Sequence, residues 1–125
     1  MTVARRRTGQ IAEDFVASRL TAKGCEIVER NARTRYGELD IVAREGHTLV
    51  FFEVKAARAG TQFGPERPIL SVDSRKQRRV RRLATAWMAE RRDLPPYREI
   101  RFDAVGVTLD RHDRPVHVDY VKSAF

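Results

Sequence analysis

Residues 37–58 read GELDIVAREGHTLVFFEVKAAR, two largely apolar runs joined by a turn at Gly46. Successive side chains along a strand point to opposite faces of a sheet, so Glu53 and Lys55 lie on the same face. If the two runs pair as an antiparallel hairpin about Gly46, Asp40 and Glu53 lie at nearly opposite positions. The stretch therefore predicts two strands that bring two carboxylates and an ammonium group together at one end of a sheet.

The length and composition of the chain are those of one folded domain. Of its 125 residues, 42% are hydrophobic and 34% are charged, and we expect one domain over residues 1–125. No apolar run approaches the ~20 residues that a membrane helix needs, and the N-terminal charges precede no apolar segment of a secretory signal. The single cysteine, Cys25, excludes an intramolecular disulfide. We therefore expect a cytoplasmic protein without membrane contact.

The charge of the chain is strongly basic. Its 25 Lys and Arg residues outnumber the 17 Asp and Glu residues, for a formal net charge of +8. Most of the basic residues are arginines, whose planar guanidinium group suits phosphate, although a GC-rich genome would enrich arginine equally well. The net charge favours a polyanionic partner, with nucleic acid ahead of an anionic membrane surface.

Turn signals and periodicity divide the rest of the chain into two helices and further strands. Thr8 is a suitable N-cap for a first helix that ends before Gly24, and the basic residues 1–7 ahead of it are expected to form a flexible arm. Strands are expected at about 25–30, 38–44, 48–56, 99–109 and 115–120, a mobile loop at 59–70 and a second helix at 73–92. The order helix, three strands, helix, two strands predicts an α/β fold with a mixed central sheet flanked by helices.

Glu13 lies at the edge of the apolar stripe of the first helix. The stripe includes Phe15, Val16 and Leu20, which recur at helical spacing. Glu13 is thus placed to lean over the surface that the helix packs on. An acidic residue early in a helix also complements the helix dipole, and spacing alone favours this second interpretation.

The N-terminal half of the second helix carries a run of cations. Lys76 lies on the apolar stripe one turn before Val80, so it is expected to point towards the sheet. The run favours a nucleic-acid-binding surface because the helix dipole also attracts anions there. A solvated cationic face that binds nothing is the alternative, and it is the usual meaning of a charge run. The candidate nucleic-acid-binding residues are Arg75, Lys76, Arg78, Arg79 and Arg82.

Asp40, Glu53 and Lys55 have the chemistry of a metal-dependent site that cleaves phosphodiester bonds. Mg²⁺ is usually held by one or two carboxylates together with water and phosphate. Asp40 and Glu53 supply those carboxylates, and the carbonyl group of Val54 is a further candidate ligand. Lys55 would hold the attacking water or balance charge on the phosphate, and Glu13 would complete the site. We expect Mg²⁺ or Mn²⁺ as the cofactor.

An exposed strand that carries a Glu–Lys pair is the alternative interpretation of these charges. Leu49 and Phe51 share the face of Glu53 and Lys55, so that face is at least partly covered, and the opposite face is wholly apolar. Charges at the end of a strand buried on both faces are costly unless they are partnered or functional. This cost favours the site interpretation.

Residues 12–58, AEDFVASRLTAKGCEIVERNARTRYGELDIVAREGHTLVFFEVKAAR, resemble the YraN-type family of uncharacterised bacterial proteins. That family in turn resembles the restriction-endonuclease-like (PD-(D/E)xK) nucleases, especially the archaeal-type Holliday junction resolvases. The specific part of the resemblance is the combination of GELD at 37–40 with FEVK at 52–55. The resemblance implies a restriction-endonuclease-like core with the element order given above.

The same resemblance implies roles for individual residues. Asp40, Glu53 and Lys55 would occupy the nuclease signature positions, and Glu13 would be the helix acid. Leu39 stands where the signature has proline, a departure that removes no ligand. The implied function is a metal-dependent endonuclease. DNA is expected ahead of RNA as its substrate, with branched or repair intermediates as candidates, and resolvase-like relatives suggest a homodimer. The alternative is a non-catalytic nucleic-acid-binding protein that retains a nuclease-like fold.

Overall fold

The computed structural model describes residues 3–60 and 68–125 and contains a five-stranded sheet with a helix packed on each face. The predicted order of helices and strands is confirmed, with one added turn of 3-10 helix before the second α-helix. The elements are α1 (Val3–Ala22), β1 (Glu26–Thr34), β2 (Gly37–Glu45), β3 (Thr48–Arg58), the 3-10 helix Pro68–Ser71, α2 (Ser74–Glu90), β4 (Glu99–Leu109) and β5 (Pro115–Val121).

The five strands lie in the sheet in their order along the chain. Strand β2 pairs antiparallel with β1 and β3, and β4 pairs antiparallel with β5. Only the central pair, β3 and β4, is parallel, because the connection between them crosses the sheet through α2. The predicted mixed sheet is therefore confirmed.

The β2–β3 hairpin turns at Gly46, as its sequence predicts. Glu45 pairs with Thr48, which leaves a two-residue turn, and Gly46 takes a positive φ of 60° that suits glycine. The paired register ends at Ile41 and Phe52. Asp40 and Glu53 are the next residues along each strand, so they lie where the two strands cease to pair.

Strand β3 is buried on both faces by the two helices. On one face Val16 and Leu20 of α1 pack in a core that includes Phe52. On the other face Trp87 of α2 meets Phe51 edge-on, with 5.8 Å between the ring centroids. The first half of β3 is therefore shielded from solvent on both faces, and the charged residues Glu53 and Lys55 follow it directly.

Helix α1 begins earlier than its sequence predicts. It starts at Val3 and not at Thr8, and the Thr8 hydroxyl donates a hydrogen bond to the carbonyl of Ala4 at 2.9 Å as an interior helical residue. The flexible arm expected over residues 1–7 is thus wrong for residues 3–7. Arginine is a good helix former, and the arginines ahead of Thr8 extend the helix backwards.

Strand β1 is longer than the expected strand at 25–30. It continues to Thr34, with Ala32 opposite Leu39 and Thr34 opposite Gly37. Residues 31–36 are mostly polar, so the sequence does not show that the strand continues. Alternate side chains of this extension face solvent, while Ala32 and Thr34 are buried. The extension sets the short turn at Tyr36 beside α2.

The loop expected at 59–70 lies mostly outside the described residues, which omit 61–67. The 3-10 helix that follows packs closely on the sheet: a Cβ atom at Gly106 would lie 2.7 Å from the backbone nitrogen of Ile69. Glycine at this position thus allows the backbone to approach β4.

In the described ranges, no helix combines the length and apolarity required to cross a membrane.

Candidate metal and nucleic-acid site

Asp40 occupies the point where the β2–β3 ladder ends. Its Oδ2 atom accepts a hydrogen bond from the backbone N–H of Val54 at 2.8 Å. The Asp40 carboxylate thereby accepts a hydrogen bond from β3 just beyond the point where backbone pairing with β2 ends. Strand pairing and side-chain chemistry together orient Asp40 towards the end of β3.

The electrostatic environment of Asp40 disfavours its charge. Burial, followed by repulsion from Glu53, raises the pKa of Asp40 to about 8, and Glu13 adds to the effect. The Val54 hydrogen bond and the Lys55 ammonium group act in the opposite direction. The carboxyl group is therefore held among negative charges that its neighbours only partly neutralise.

Glu53 and Lys55 leave the same face of β3, as their spacing predicts. Lys55 Nζ lies 3.3 Å from Glu53 Oε1, and both side chains are largely buried. Lys76 of α2 reaches the same place: the neighbouring Lys55 side chain is the main cause of a lowered pKa of Lys76. The predicted inward orientation of Lys76 thus brings a second ammonium group to this end of the sheet.

Glu13 approaches from α1. Burial raises the pKa of Glu13 to about 7, although the nearby Arg30 lowers it, and Asp14, Glu38 and Glu53 raise it further. Its Oε1 atom is buried and has no hydrogen-bond partner among the described residues. A buried, unsatisfied carboxylate oxygen is costly in a protein without a ligand for it.

The four residues singled out from the sequence thus lie close together, because the charge of Glu53 raises the pKa of each of the other three: Glu13, Asp40 and Lys55. Over the ranges 3–60 and 68–125, no group of three or more His, Cys, Asp and Glu side chains has the arrangement of a complete metal site. The donor set that fits is the Asp40–Glu53 pair, because Mg²⁺ commonly takes one or two protein carboxylates and fills its other positions with water and phosphate.

The cations of α2 divide into one half-buried and several exposed side chains. Asp73 caps the helix, accepting a hydrogen bond from the backbone N–H of Lys76 at 3.0 Å. Lys76 turns inward, whereas the arginines are exposed and form no ion pair with any residue in the described ranges. These exposed arginines are Arg75, Arg78, Arg79, Arg81 and Arg82.

An aromatic residue missed at the sequence level lies among these arginines. The Arg82 guanidinium carbon is 4.4 Å from the ring centroid of Tyr36, and that of Arg35 is 5.4 Å from it. Residues 31–36 lie between the strands expected at 25–30 and 38–44, and Tyr36 was not nominated for a site. The one available signal was the tyrosine itself, preceded by Arg33 and Arg35, because its proximity to α2 depends on the tertiary structure.

Arg30 and Glu38 were also not singled out, and both lie close enough to Glu13 to shift its pKa. Glu38 shares the strand parity of Asp40, a usable signal. The position of Arg30 depends on the β1–β2 register, which shifts between Ile27 and Glu29 and so cannot be read from alternation.

Sequence comparisons relate the chain to proteins without an assigned function. The model of "Uncharacterised protein family UPF0102" matches residues 12–107. A UPF0102 protein of Moorella thermoacetica is 46% identical, with 100% of each chain covered. A UPF0102 protein of Nocardia farcinica is 44% identical over 94% of this chain and 87% of its own, and one of Acidothermus cellulolyticus is 43% identical over 98% and 96%.

Proposed function

The chain belongs to the uncharacterised protein family UPF0102, and we propose that it is a Mg²⁺- or Mn²⁺-dependent endonuclease that cleaves phosphodiester bonds in DNA. The observation that carries the proposal is the convergence of Glu13, Asp40, Glu53 and Lys55 where β2 and β3 separate. An excess of partly buried carboxylates at this point is costly for the fold alone, and a divalent cation would offset it.

Asp40 and Glu53 would hold the cation, which when bound polarises a phosphate and makes a water molecule more acidic. The end of β3 positions these two side chains through the Val54 hydrogen bond to Asp40 and the contact between Glu53 and Lys55. Two carboxylates from neighbouring strands are enough protein ligands, because Mg²⁺ fills its other positions with water and phosphate.

Lys55 is suited to the phosphate and the attacking water. Its ammonium group is held by Glu53 at 3.3 Å and can donate hydrogen bonds to both species. As water attacks phosphorus and a P–O ester bond breaks, negative charge grows on the phosphoryl oxygens, and a fixed cation stabilises it. Glu13 has a buried oxygen available to accept a hydrogen bond from water.

DNA is favoured as the substrate by the charge around this site. The exposed arginines of α2 follow directly from Lys76, which contacts Lys55. Cations at this position would neutralise phosphates on either side of the scissile bond and retain the strand while it reacts. The net charge of +8 on the chain also attracts a polyanion such as DNA.

A cleavage assay on linear, flapped and four-way DNA, with Mg²⁺, Mn²⁺ or EDTA, tests the proposal. We expect products only with the metal and a loss of at least about 100-fold in Glu53→Gln and Asp40→Asn, as for removal of other groups that stabilise a transition state. Asp93→Asn is the matched control, because it removes a charge from an exposed residue after α2.

Products that form equally well in EDTA, or in both site variants, would contradict the assignment. A protein that binds each DNA but cleaves none would favour the second candidate function, a non-catalytic nucleic-acid-binding protein. The observation behind that candidate is the exposed arginine surface of α2, which needs no metal to bind phosphate.

A further inference from the structure

We propose that the surface around Tyr36 binds an unpaired nucleotide of DNA, with the base beside the tyrosine ring and the phosphate on the arginines of α2. The inference rests on the proposed function for the ligand class, DNA, and not on cleavage. It adds a preference for substrates with single-stranded or flapped segments.

Tyr36 is held in place with its ring in solvent. The residue is 48% exposed, and its backbone N–H donates to the Thr34 hydroxyl at 3.1 Å. That hydroxyl in turn donates to the carbonyl of Gly37 at 2.9 Å, which closes a tight turn. A rigid, exposed ring is a suitable stacking partner because every base has a π-face and little entropy is lost on binding.

Two arginine groups lie over the ring. The guanidinium carbons of Arg82 and Arg35 lie 4.4 Å and 5.4 Å from its centroid. Guanidinium planes also stack on bases, so the ring and the two arginines together present a composite stacking surface with a positive charge.

Two grooves meet at Tyr36 and Arg82. One, of about 430 Å³, is lined by three arginines and fits a phosphate: Arg78, Arg79 and Arg82, with Tyr36 and Leu83. The other, of about 510 Å³, has small side chains on its floor, including Thr85, Ala86 and Ala89. A cationic groove beside a groove with a small apolar floor matches the two halves of a nucleotide.

Gly37 allows the cationic groove to close against the β1–β2 turn. Its φ is +139°, and a Cβ atom there would lie 2.9 Å from Arg79 Nη2. A larger residue would displace this guanidinium group. The absence of a side chain at Gly37 thus leaves room for the Arg79 guanidinium group against the turn.

The surface is continuous with the candidate metal site. Lys76, which contacts Lys55, precedes Arg79 by one helical turn and Arg82 by nearly two. The distance from Lys76 to Arg82 along the helix axis is roughly 9 Å. A strand whose phosphate lies at Lys55 can therefore place a neighbouring nucleotide at Tyr36.

The acidic residue lining the second groove does not oppose this assignment. The carboxylate of Glu90 accepts a hydrogen bond from the backbone N–H of Arg35 at 3.4 Å. This hydrogen bond attaches the β1–β2 turn to the end of α2 and places the charge of Glu90 beside Arg35.

Fluorescence anisotropy in EDTA tests the proposal without cleavage, using a labelled 15-nucleotide single strand, the blunt duplex of the same sequence and a 15-residue abasic strand. Tyr36→Ala is expected to weaken single-strand binding roughly 5- to 150-fold, the range for loss of one stacking contact. Duplex and abasic-strand binding should stay within about threefold, because phosphate contacts supply that affinity.

Two further variants separate stacking from folding. Tyr36→Phe keeps the ring and should bind like the wild type. Ala89→Trp fills the second groove from an exposed helical position and should weaken single-strand binding without touching Tyr36. Equal losses on single strand, duplex and abasic strand, or wild-type single-strand binding by Tyr36→Ala, would overturn the proposal.

The result is separable from the nuclease assignment. If the protein cleaves DNA but Tyr36→Ala binds single strands normally, the nucleotide site is wrong and the endonuclease stands. If Tyr36 governs single-strand binding but no metal supports cleavage, the nucleotide site is supported and the endonuclease fails.

Discussion

Asp40 is half-buried and Asp103 is fully buried, and the surroundings of the two carboxylates have opposite signs. Asp103 accepts hydrogen bonds from Arg101 at 2.9 and 3.1 Å, from the Tyr120 hydroxyl and from the backbone N–H of Ser123. Asp40 accepts one backbone hydrogen bond and faces further carboxylates. The first arrangement stabilises the fold, whereas the second makes sense as a site for a cation.

Asp103→Ala is expected to lower the free energy of unfolding by about 3–5 kcal/mol, because it removes the closest partner of the buried Arg101 and leaves the more distant Glu45, at 3.6 Å, as its ion-pair partner. The Arg101 side chain is 13% exposed and cannot recover its hydration in place. Urea unfolding followed by circular dichroism measures the change. Asp93→Ala, at an exposed position, should change it by less than about 0.5 kcal/mol; similar losses in both would show that the Asp103 network contributes nothing special.

The pH dependence of stability follows from the raised pKa values of Asp40 and Glu13, about 8 and about 7 against ordinary values of 3.8 and 4.5. Between the ordinary and the raised pKa values, the folded state binds more protons than the unfolded state, so the free energy of unfolding falls as pH rises. The stability that protonation provides is fully present below about pH 4 and is lost by about pH 8. In EDTA the melting temperature should therefore fall from pH 5 to 8. Asp40→Asn should flatten this decline, and a melting temperature that rises over the same interval in the wild type would contradict the assignment.

Metal binding at this site is predicted to raise the melting temperature, whereas deprotonation of the same carboxyl groups lowers it. At pH 8, Mn²⁺ or Mg²⁺ should raise the melting temperature, because a ligand that binds only the folded state stabilises it. Titration calorimetry should give a binding isotherm for the wild type and none for Asp40→Asn or Glu53→Gln. An unchanged isotherm in both variants would place the cation elsewhere.

The points where strand pairing ends and where α2 begins determine the positions of the site residues. Strands β2 and β3 stop pairing after Ile41 and Phe52, and the site residues follow immediately. Helix α2 begins one residue after Asp73 and directs Lys76 inward within its first turn. Asp40 and Glu53 thus lie within their strands, just beyond the paired part of the β2–β3 hairpin. Lys76 approaches them from the first turn of α2.

Asp73→Ala should destabilise the protein by about 1 kcal/mol through loss of the N-cap, since the Asp73 carboxylate accepts the backbone N–H of Lys76 at 3.0 Å. Chemical unfolding measures this loss. Asp73→Ser retains a capping oxygen and should restore most of it. Equal stability of the Ala and Ser variants would mean that the cap does not contribute.

The whole molecule presents its cations unevenly. Exposed arginines are concentrated at the start of α2, beside the candidate site and the turn at Tyr36, whereas β5 at the sheet edge exposes apolar side chains such as Val116 and Val118. An uneven charge distribution orients an approaching polyanion as well as attracting it.

The salt dependence of DNA binding should locate this surface. Each phosphate contact contributes about 0.9 to the slope of log K against log salt concentration, so the double variant Arg75→Gln, Arg78→Gln should reduce the slope by about 2. Arg92→Gln with Arg98→Gln removes the same charge beyond the end of α2 and should leave it nearly unchanged. Equal reductions by both pairs, measured by anisotropy on a blunt duplex, would indicate attraction by net charge alone.

Much of the fold was predictable because its signals are local. The apolar runs around Gly46 specify the hairpin, and its period of two aligns Asp40 with Glu53. The apolar stripe of α2 and the breaks around it specify that helix and the inward direction of Lys76. By itself the sequence determined the order of elements, the hairpin register and the residues nominated for the site.

The tertiary structure alone decided which of those residues meet. The parallel pairing of β3 with β4 and the extension of β1 to Thr34 both depend on contacts between distant parts of the chain. They bring Tyr36 to α2 and set the neighbours of Glu13. Alternation and helical periodicity report the face on which a residue lies, but burial, pKa and contact across elements depend on packing that no local pattern encodes.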